Sequence, residues 1–409
     1  MTPTAPTSTE NTSTPALALP LLSLAAFGSG ISLRVMDPLL PLLSKDFGVS
    51  LGDASLVVTV FSIAYGLSQL FFGPLGDRYG KYFVIACAAI ACSLTSGLCA
   101  LAGNFHALLF ARFIAGTTAA AIIPLSMAWI GDVVAYDKRQ PILARFLIGQ
   151  ILGLAAGVFA GGMAADAAQW RLPFFFISTI FIAVGGGLLI LNRQLPAHAR
   201  LTRTVEGSAI LHMFAEFRHI AALPWARLVL LTVFLEGAFL YGPFAFIASH
   251  LHHVHGVSLT TAGSVIMLFG LGGFVFAVAS ARLVSRLGET GLSLWGGATL
   301  AIALTAIGLS TGWWWAIPGC FAAGLGFYML HNTLQINATQ MAPERRGAAV
   351  SAFASCFFLG QSIGVGIAGR LIDHLGSTPI MIIGGIGVLA VSMNFSRLLR
   401  GKQLQAAAA

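Results

Sequence analysis

Long apolar runs alternate with short polar segments along most of this chain. The runs are continuous, which is typical of membrane-spanning helices and not of the alternating strands of a transmembrane β-barrel. A helix needs about 20 apolar residues to cross a hydrocarbon core about 30 Å thick. The pattern predicts twelve spans, at residues 17–43, 54–73, 82–103, 107–131, 142–165, 174–191, 228–249, 261–283, 291–309, 313–339, 348–368 and 378–395.

The longest polar connection lies between the sixth and seventh spans and divides the chain into two halves. We therefore predict an all-α polytopic membrane protein with two six-helix bundles. Residues 1–15 are rich in Thr, Ser and Pro without Lys or Arg, which indicates a disordered tail rather than a signal peptide. The predicted regions are a cytoplasmic tail at 1–15, bundles at 16–192 and 228–395, a cytoplasmic central loop at 193–227 and a second cytoplasmic tail at 396–409.

Composition supports this class and excludes others. Of the 409 residues, 57% are hydrophobic and only 9% are charged, whereas soluble proteins carry about 25% charged residues. A soluble enzyme and a secreted disulfide scaffold are therefore excluded. The five cysteines all lie in predicted spans, which argues against a disulfide framework or a zinc site; they are Cys87, Cys92, Cys99, Cys320 and Cys356.

The net charge of +8 predicts topology rather than a nucleic-acid partner. Seventeen of the 22 Lys and Arg residues lie in or beside the loops after even-numbered spans or in the C-terminal tail. Only Lys45, Arg171 and Arg370 lie in the opposite loops. Because basic loops stay in the cytoplasm, we predict a bacterial-type inner membrane protein with both termini cytoplasmic.

Two short motifs occur once in each half. The sequence GQILG at 149–153 recurs as GQSIG at 360–364, 211 residues later. Arg78-Tyr-Gly80 recurs as Arg286-Leu-Gly288, 208 residues later. The agreement suggests duplicated six-helix halves, which in transporters place the substrate site between them near the midplane.

The loop between spans two and three carries the most specific motif. It reads GPLGDRYGK from Gly73 to Lys81, with Gly80 at the turn, and it resembles the loop 2–3 signature of the major facilitator superfamily. The resemblance implies a twelve-helix transporter of two six-helix pseudo-repeats, the major facilitator fold. It also implies that Asp77 braces the start of span eleven in an outward-facing state and that Arg78 pairs with Asp132.

Two further motifs resemble the same superfamily. Arg112 and the four residues after it resemble its intramembrane arginine motif in span four. The glycine-rich segment of span five resembles the motif of the drug/proton antiporter branch, except that Val158 stands where that branch has proline. Its glycines are candidates for conformational gating, with tight helix packing as the alternative; they are Gly153, Gly157, Gly161 and Gly162.

Four charged residues, Arg34, Asp37, Arg112 and Glu236, lie inside predicted spans. A charge at a helix centre costs at least about 2.5–3.5 kcal/mol, so each is a candidate for proton coupling. Asp37 either forms a local ion pair with Arg34 or titrates. Glu236 either exchanges protons or binds a cation, or it is a hydrogen-bonded structural acid. Arg112 either modulates proton transfer near span one or ties span four to span one.

Polar and aromatic residues in spans two, seven, ten and eleven are candidates for the substrate cavity, with interhelical hydrogen bonding as the alternative. They are Tyr65, Gln69, Tyr241, His331, Asn332, Gln335 and Gln361. Four histidines between residues 250 and 255 allow metal binding, a pH-sensitive loop or no specific role, and we predict no metal site.

These observations predict a secondary transporter and not an enzyme. The chain has neither a phosphate-binding Walker loop nor a His-Glu-x-x-His helix, so we expect no cofactor and a proton gradient as the energy source. We predict a monomer that exports small amphipathic compounds or drugs by proton antiport. A proton symporter or facilitator for a small metabolite, or a non-transporting sensor, remains the alternative.

Overall fold

The computed structural model describes residues 17–134, 136–200 and 209–408, which are almost entirely helical and contain no β-strand. The predicted tail at 1–15 lies outside the described residues. In the N-terminal half the helices are α1 (Ala18–Arg34), α2 (Leu40–Phe47), α3 (Leu51–Ala54), α4 (Leu56–Tyr79), α5 (Lys81–Ala100), α6 (Phe105–Ala119), α7 (Ile122–Val133), α8 (Tyr136–Asp166) and α9 (Leu172–Gln194).

The second half follows a short connecting helix, α10 (Ala209–Ala222), which lies in the predicted central loop. Several spans consist of two helices, because prolines such as Pro38 and Pro243 lie where the helix is interrupted. The remaining helices are α11 (Pro224–Phe244), α12 (Ile247–His255), α13 (Leu259–Ile266), α14 (Leu268–Leu309), α15 (Ala316–Gln340), α16 (Arg346–Leu375) and α17 (Ser377–Ala408).

The described residues account for all twelve predicted spans. Ten segments are long and apolar enough to cross a membrane, with Leu259–Leu309 counted once. That segment is interrupted at Gly288, which separates spans eight and nine. The tenth span, α15, is not among the ten, because polar residues such as His331 and Asn332 lower the hydropathy of its second half.

Close helix contacts confirm that the two halves are repeats. Gly153 in α8 lies so close to the Phe27 carbonyl in α1 that a Cβ would collide with it. Gly364 in α16 meets the Ala238 carbonyl of α11 in the same way. Each residue of the second contact lies 211 residues after its counterpart in the first. The packing of α8 on α1 is therefore equivalent to the packing of α16 on α11.

The repeated turn motif is also equivalent in structure. Gly80 has φ of 89° and Gly288 has φ of 61°, values that residues with a Cβ rarely adopt. Each glycine reverses the chain at the end that carries the predicted basic loops. We call this end the basic face, and the end that carries Lys45, Arg171 and Arg370 the opposite face.

Candidate transport site

The two halves enclose a cavity at the basic face, with a volume of about 970 Å³. Its walls come from α4 and α7 of the first half, from α15 and α16 of the second, and from α10. At the opposite face α13 packs on α8 and α3 packs on α16. The molecule is therefore open between its halves at the basic face and closed at the other.

Arg34 connects the two halves below this cavity. It is only 6% exposed, and its Nη1 lies 3.5 Å from Oδ2 of Asp37. Nη2 donates a hydrogen bond of 3.3 Å to Gln361 in α16, and the guanidinium stacks 3.9 Å above the ring of Tyr241 in α11. Gln361 in turn donates to Ser62 in α4 at 2.9 Å. The predicted pair of Arg34 and Asp37 is thus part of a contact between the halves.

Asp37 itself is fully buried at the start of a 3₁₀ turn, Asp37–Leu39. Its Oδ1 atom has no hydrogen-bond partner in the part of the chain that the structure describes. Its hydrogen-bonded partner among the described residues is Arg34, through a single long contact.

Glu236 forms the second buried pair, and its partner comes from another helix. Oε2 of Glu236 lies 2.8 Å from Nδ1 of His331 in α15, while Oε1 is unbonded among the described residues. Glu236 is fully buried, but the side chain of His331 is 18% exposed. Of the two partners, only the imidazole therefore reaches the molecular surface.

An aromatic cluster lies between the two pairs. The rings of Phe327 and Phe357 are each 4.7 Å from the ring of His331. The same two rings lie 5.9 and 5.5 Å from Tyr241, which carries Arg34 on its face. Apolar rings therefore lie between the two pairs of ionisable side chains.

Arg112 is bound within the first half. It is 1% exposed, donates to the Ser32 carbonyl at 3.2 Å and to the Val57 carbonyl at 3.2 Å, and lies 4.0 Å from the centre of the Phe61 ring. This geometry ties span four to spans one and two, in agreement with the interpretation of Arg112 as a link between helices. Its predicted effect on proton transfer stays a prediction.

The other predicted cavity residues differ in position. Gln69 lines the cavity, whereas Tyr65 is 1% exposed and packs 4.4 Å from the Phe358 ring of the other half. Asn332 and Gln335 are half-buried in α15. Tyr65 and Gln361 thus lie between the halves without facing the open cavity.

The charges of loop 2–3 are paired differently from the prediction. Asp132 bonds to Lys81 at 2.6 Å instead of to Arg78, because Lys81 begins α5 beside the end of α7. Lys81 also contacts Asp77 at 3.1 Å, and Arg78 lies 5.4 Å from the ring of Tyr79. Asp77 and the start of α16 line the open cavity on the basic face. The predicted contact by which Asp77 braces the start of span eleven therefore stays a prediction, for a conformation in which this face is closed.

The glycines of span five pack mainly within the first half. Added Cβ atoms at Gly153, Gly157 and Gly161 would strike backbone of span one, at Phe27, Ile31 and Val35. Gly162 alone of the four meets the other half, at the Leu259 carbonyl. Of the loop glycines, Gly73 has open space around its Cβ position, and α8 continues without interruption through Val158.

The histidines near residue 250 contact nearby groups individually. His250 is bonded to Ser377 at 2.8 Å and to the Ile307 carbonyl at 3.2 Å, and His252 is bonded to the Val257 carbonyl at 2.9 Å. Within the described ranges no group of His, Cys, Asp or Glu is arranged to hold a metal ion.

Sequence reasoning did not find the contact between Glu236 and His331, although it selected both residues. The sequence feature that pointed to a contact was their depth in the membrane, because both residues lie well inside their spans. It also did not select Asp166 and Asp373, two acids at span ends that accept hydrogen bonds from backbone N–H groups of the other half.

Comparisons with known proteins agree with this fold. The family described as the Major Facilitator Superfamily matches residues 22–365. Among curated proteins, the chain is 27% identical to a multidrug efflux protein, YfmO of Bacillus subtilis, over 88% of this chain and 87% of that protein. It is 24% identical to the quinolone resistance protein NorA of Staphylococcus aureus, over 88% and 91%.

Solved structures show the same architecture. The nucleoside transporter NupG superposes with a TM-score of 0.76 at 13% identity, covering 93% of this chain and 98% of that one. A bacterial homologue of the human lysosomal transporter Spinster, in an inward-facing and occupied conformation, gives a TM-score of 0.73 at 18% identity, covering 94% and 96%. At these identities the likeness concerns the fold alone.

Proposed function

The chain belongs to the Major Facilitator Superfamily, and from this premise we propose that it exports small amphipathic compounds in exchange for protons. The halves would alternate between the conformation described above and one that opens at the opposite face. A ligand drives such a cycle only if it binds the two conformations with different affinity. The proton gradient is the proposed energy source.

The pair of Glu236 and His331 carries the proposal. The proton affinity of a buried carboxyl group depends on the charge and hydrogen bonding of its neighbours. Glu236 has a hydrogen-bonded imidazole, and that imidazole is partly exposed among aromatic rings. An amphipathic ligand on these rings would contact the proton-carrying pair directly.

The orientation of the protein in the membrane is inferred from the charge distribution. The basic face carries most of the Lys and Arg residues, so we place it in the cytoplasm of a bacterial inner membrane. The cavity of about 970 Å³ then opens to the cytoplasm, where an exporter receives its substrate. Two relatives, a multidrug efflux protein and a quinolone resistance protein, favour export as the direction of transport.

Flux into inside-out membrane vesicles tests the proposal. With an acidic lumen, we expect accumulation of a fluorescent quinolone or of ethidium, and collapse of the gradient by an ionophore should abolish it. Glu236→Gln should reduce proton-driven accumulation at least about tenfold, while exchange of labelled for unlabelled compound continues. Glu344→Gln, at an exposed acid, is the matched control. No accumulation of either probe with an acidic lumen would contradict antiport of this class.

A proton symporter is the second candidate. Val158 replaces the proline of the antiporter motif, and α8 is a single continuous helix at that point. A symporter would give the reverse result in the same vesicles, because accumulation would then require an alkaline lumen.

A further inference from the structure

Two carboxylates at the opposite face bond to backbone of the other half. Asp166, the last residue of α8, accepts hydrogen bonds from the N–H groups of Leu259 at 2.9 Å and Thr260 at 2.8 Å. Asp373, in the last turn of α16, accepts from the N–H of Gly52 at 3.1 Å. Each bond joins a helix end in one half to a helix start in the other.

The two acids lie on helices that the internal repeat relates, although Asp373 lies four residues before position 377, which corresponds to Asp166. α8 and α16 are the equivalent helices of the two halves, shown by their glycine contacts to α1 and α11. The N–H groups that bond to Asp166 and Asp373 lie at the starts of spans eight and two, and a serine caps each of these starts. Ser258 accepts from the N–H of Thr261 at 3.1 Å, and Ser50 accepts from the N–H of Asp53 at 2.9 Å. An acid near the end of a long helix therefore bonds to the serine-capped start of a helix in the other half twice, once from each half.

Close backbone approach makes both bonds possible. A Cβ at Gly162 would collide with the Leu259 carbonyl, and a Cβ at Gly369 would collide with Ser55. Separation of the halves at this face must break all three hydrogen bonds, because their donors and acceptors belong to different halves. The basic face differs, since a wide cavity lies between the halves there.

We propose that Asp166 and Asp373 are paired positioning residues that hold the opposite face closed and set the equilibrium between the two conformations of the transport cycle. This inference rests on the alternating-access part of the proposed function but not on its substrate or its coupling to protons. Since the two contacts span one seam, loss of either should weaken the other.

Hydrogen exchange measured by mass spectrometry tests this coupling on the full-length chain in detergent, without any substrate. Asp166→Ala should speed exchange in a peptide that contains Gly52, at the distant contact, by about fivefold. Asp373→Ala should do the same in a peptide that contains Leu259 and Thr260. The double variant should give about 25-fold in both peptides if the contributions add.

Controls separate the proposal from local effects. Asp46→Ala removes another exposed acid of the same face and should change neither peptide. A peptide around Ser93, which bonds to Ser178 within the first half, should keep its rate in every variant. If a substitution raises that rate as well, Asp166→Asn and Asp373→Asn, which preserve side-chain shape, replace the alanine variants and should show the same distant effect.

The proposal is overturned if each variant raises exchange only at its own bonding partner. Failure of drug export in the vesicle experiment would leave the exchange result intact, because no substrate takes part in it. The two proposals therefore fail independently.

Discussion

Asp37 and Glu236 are both buried acids, and each has one oxygen without a hydrogen-bond partner among the described residues. Their hydrogen-bonded basic partners differ in whether they contact the other half. The partner of Asp37, Arg34, extends to the second half and contacts Gln361 and Tyr241 there. The partner of Glu236, His331, belongs to the same half and is partly exposed. The difference shows that equal burial does not imply an equal role.

The contacts of Arg34, in the first pair, depend on whether the two halves pack against each other there. Movement of one half against the other removes the contacts of Arg34 with the second half, whatever happens to Asp37. The second pair can remain intact during that movement, because both of its members move with the same bundle. We therefore assign conformational coupling to Arg34 and Asp37, and ligand and proton exchange to Glu236 and His331, as hypotheses that the following variants test.

The largest effect is expected at Arg34. Arg34→Gln removes the ion-pair partner of the buried Asp37, which should lower the free energy of unfolding by about 3–5 kcal/mol. The double variant Arg34→Gln with Asp37→Asn should recover most of this loss, and Arg370→Gln, at an exposed arginine, should cost less than about 0.5 kcal/mol. Chemical or thermal unfolding in detergent measures all three. A double variant no more stable than Arg34→Gln alone would show that the pair is not what balances Asp37.

An intermediate effect is expected at His331. His331→Leu removes the hydrogen-bond partner of a buried acid and should cost about 1–3 kcal/mol. In a Glu236→Gln background the same substitution should cost less, because no charge is then left without a partner. Unfolding of the four proteins of this cycle gives the coupling. Equal costs in both backgrounds would separate the two residues energetically and contradict their assignment as a pair.

The smallest effect is expected at Gln361. Gln361→Leu removes its hydrogen bonds with Arg34 and Ser62 and should cost about 1 kcal/mol, measured by the same unfolding assay. Gln335→Leu, at a half-buried glutamine of α15, is the matched control and should change stability less. If Gln361→Leu proves more costly than Arg34→Gln, the contact between the halves depends on the amide rather than on the charge.

The span-five glycines show how far sequence could predict the site. The repeat of GQILG and GQSIG located equivalent helices, and the structure confirms it through matching contacts of Gly153 and Gly364. Sequence could not decide between gating and packing, because a small residue serves both. The partner helix is a property of the tertiary structure, and for Gly153, Gly157 and Gly161 that partner lies in the same half.

Loop 2–3 gives a second example. Its motif predicted the turn, and Gly80 indeed adopts the left-handed backbone that glycine permits. The motif did not predict which base would meet Asp132. Lys81 does so at 2.6 Å, since the reversal at Gly80 places the first residue of α5 next to the end of α7.

The sequence by itself determined the number of spans, their division into two related halves and the four charges inside them. These properties are local, because a span is recognised by the length of its apolar run and a buried charge by its cost in hydrocarbon. Only the tertiary structure decided which groups on other helices those charges meet. Glu236 meets His331 across 95 residues and Arg34 meets Gln361 across 327, because contacts between helices depend on which faces pack together.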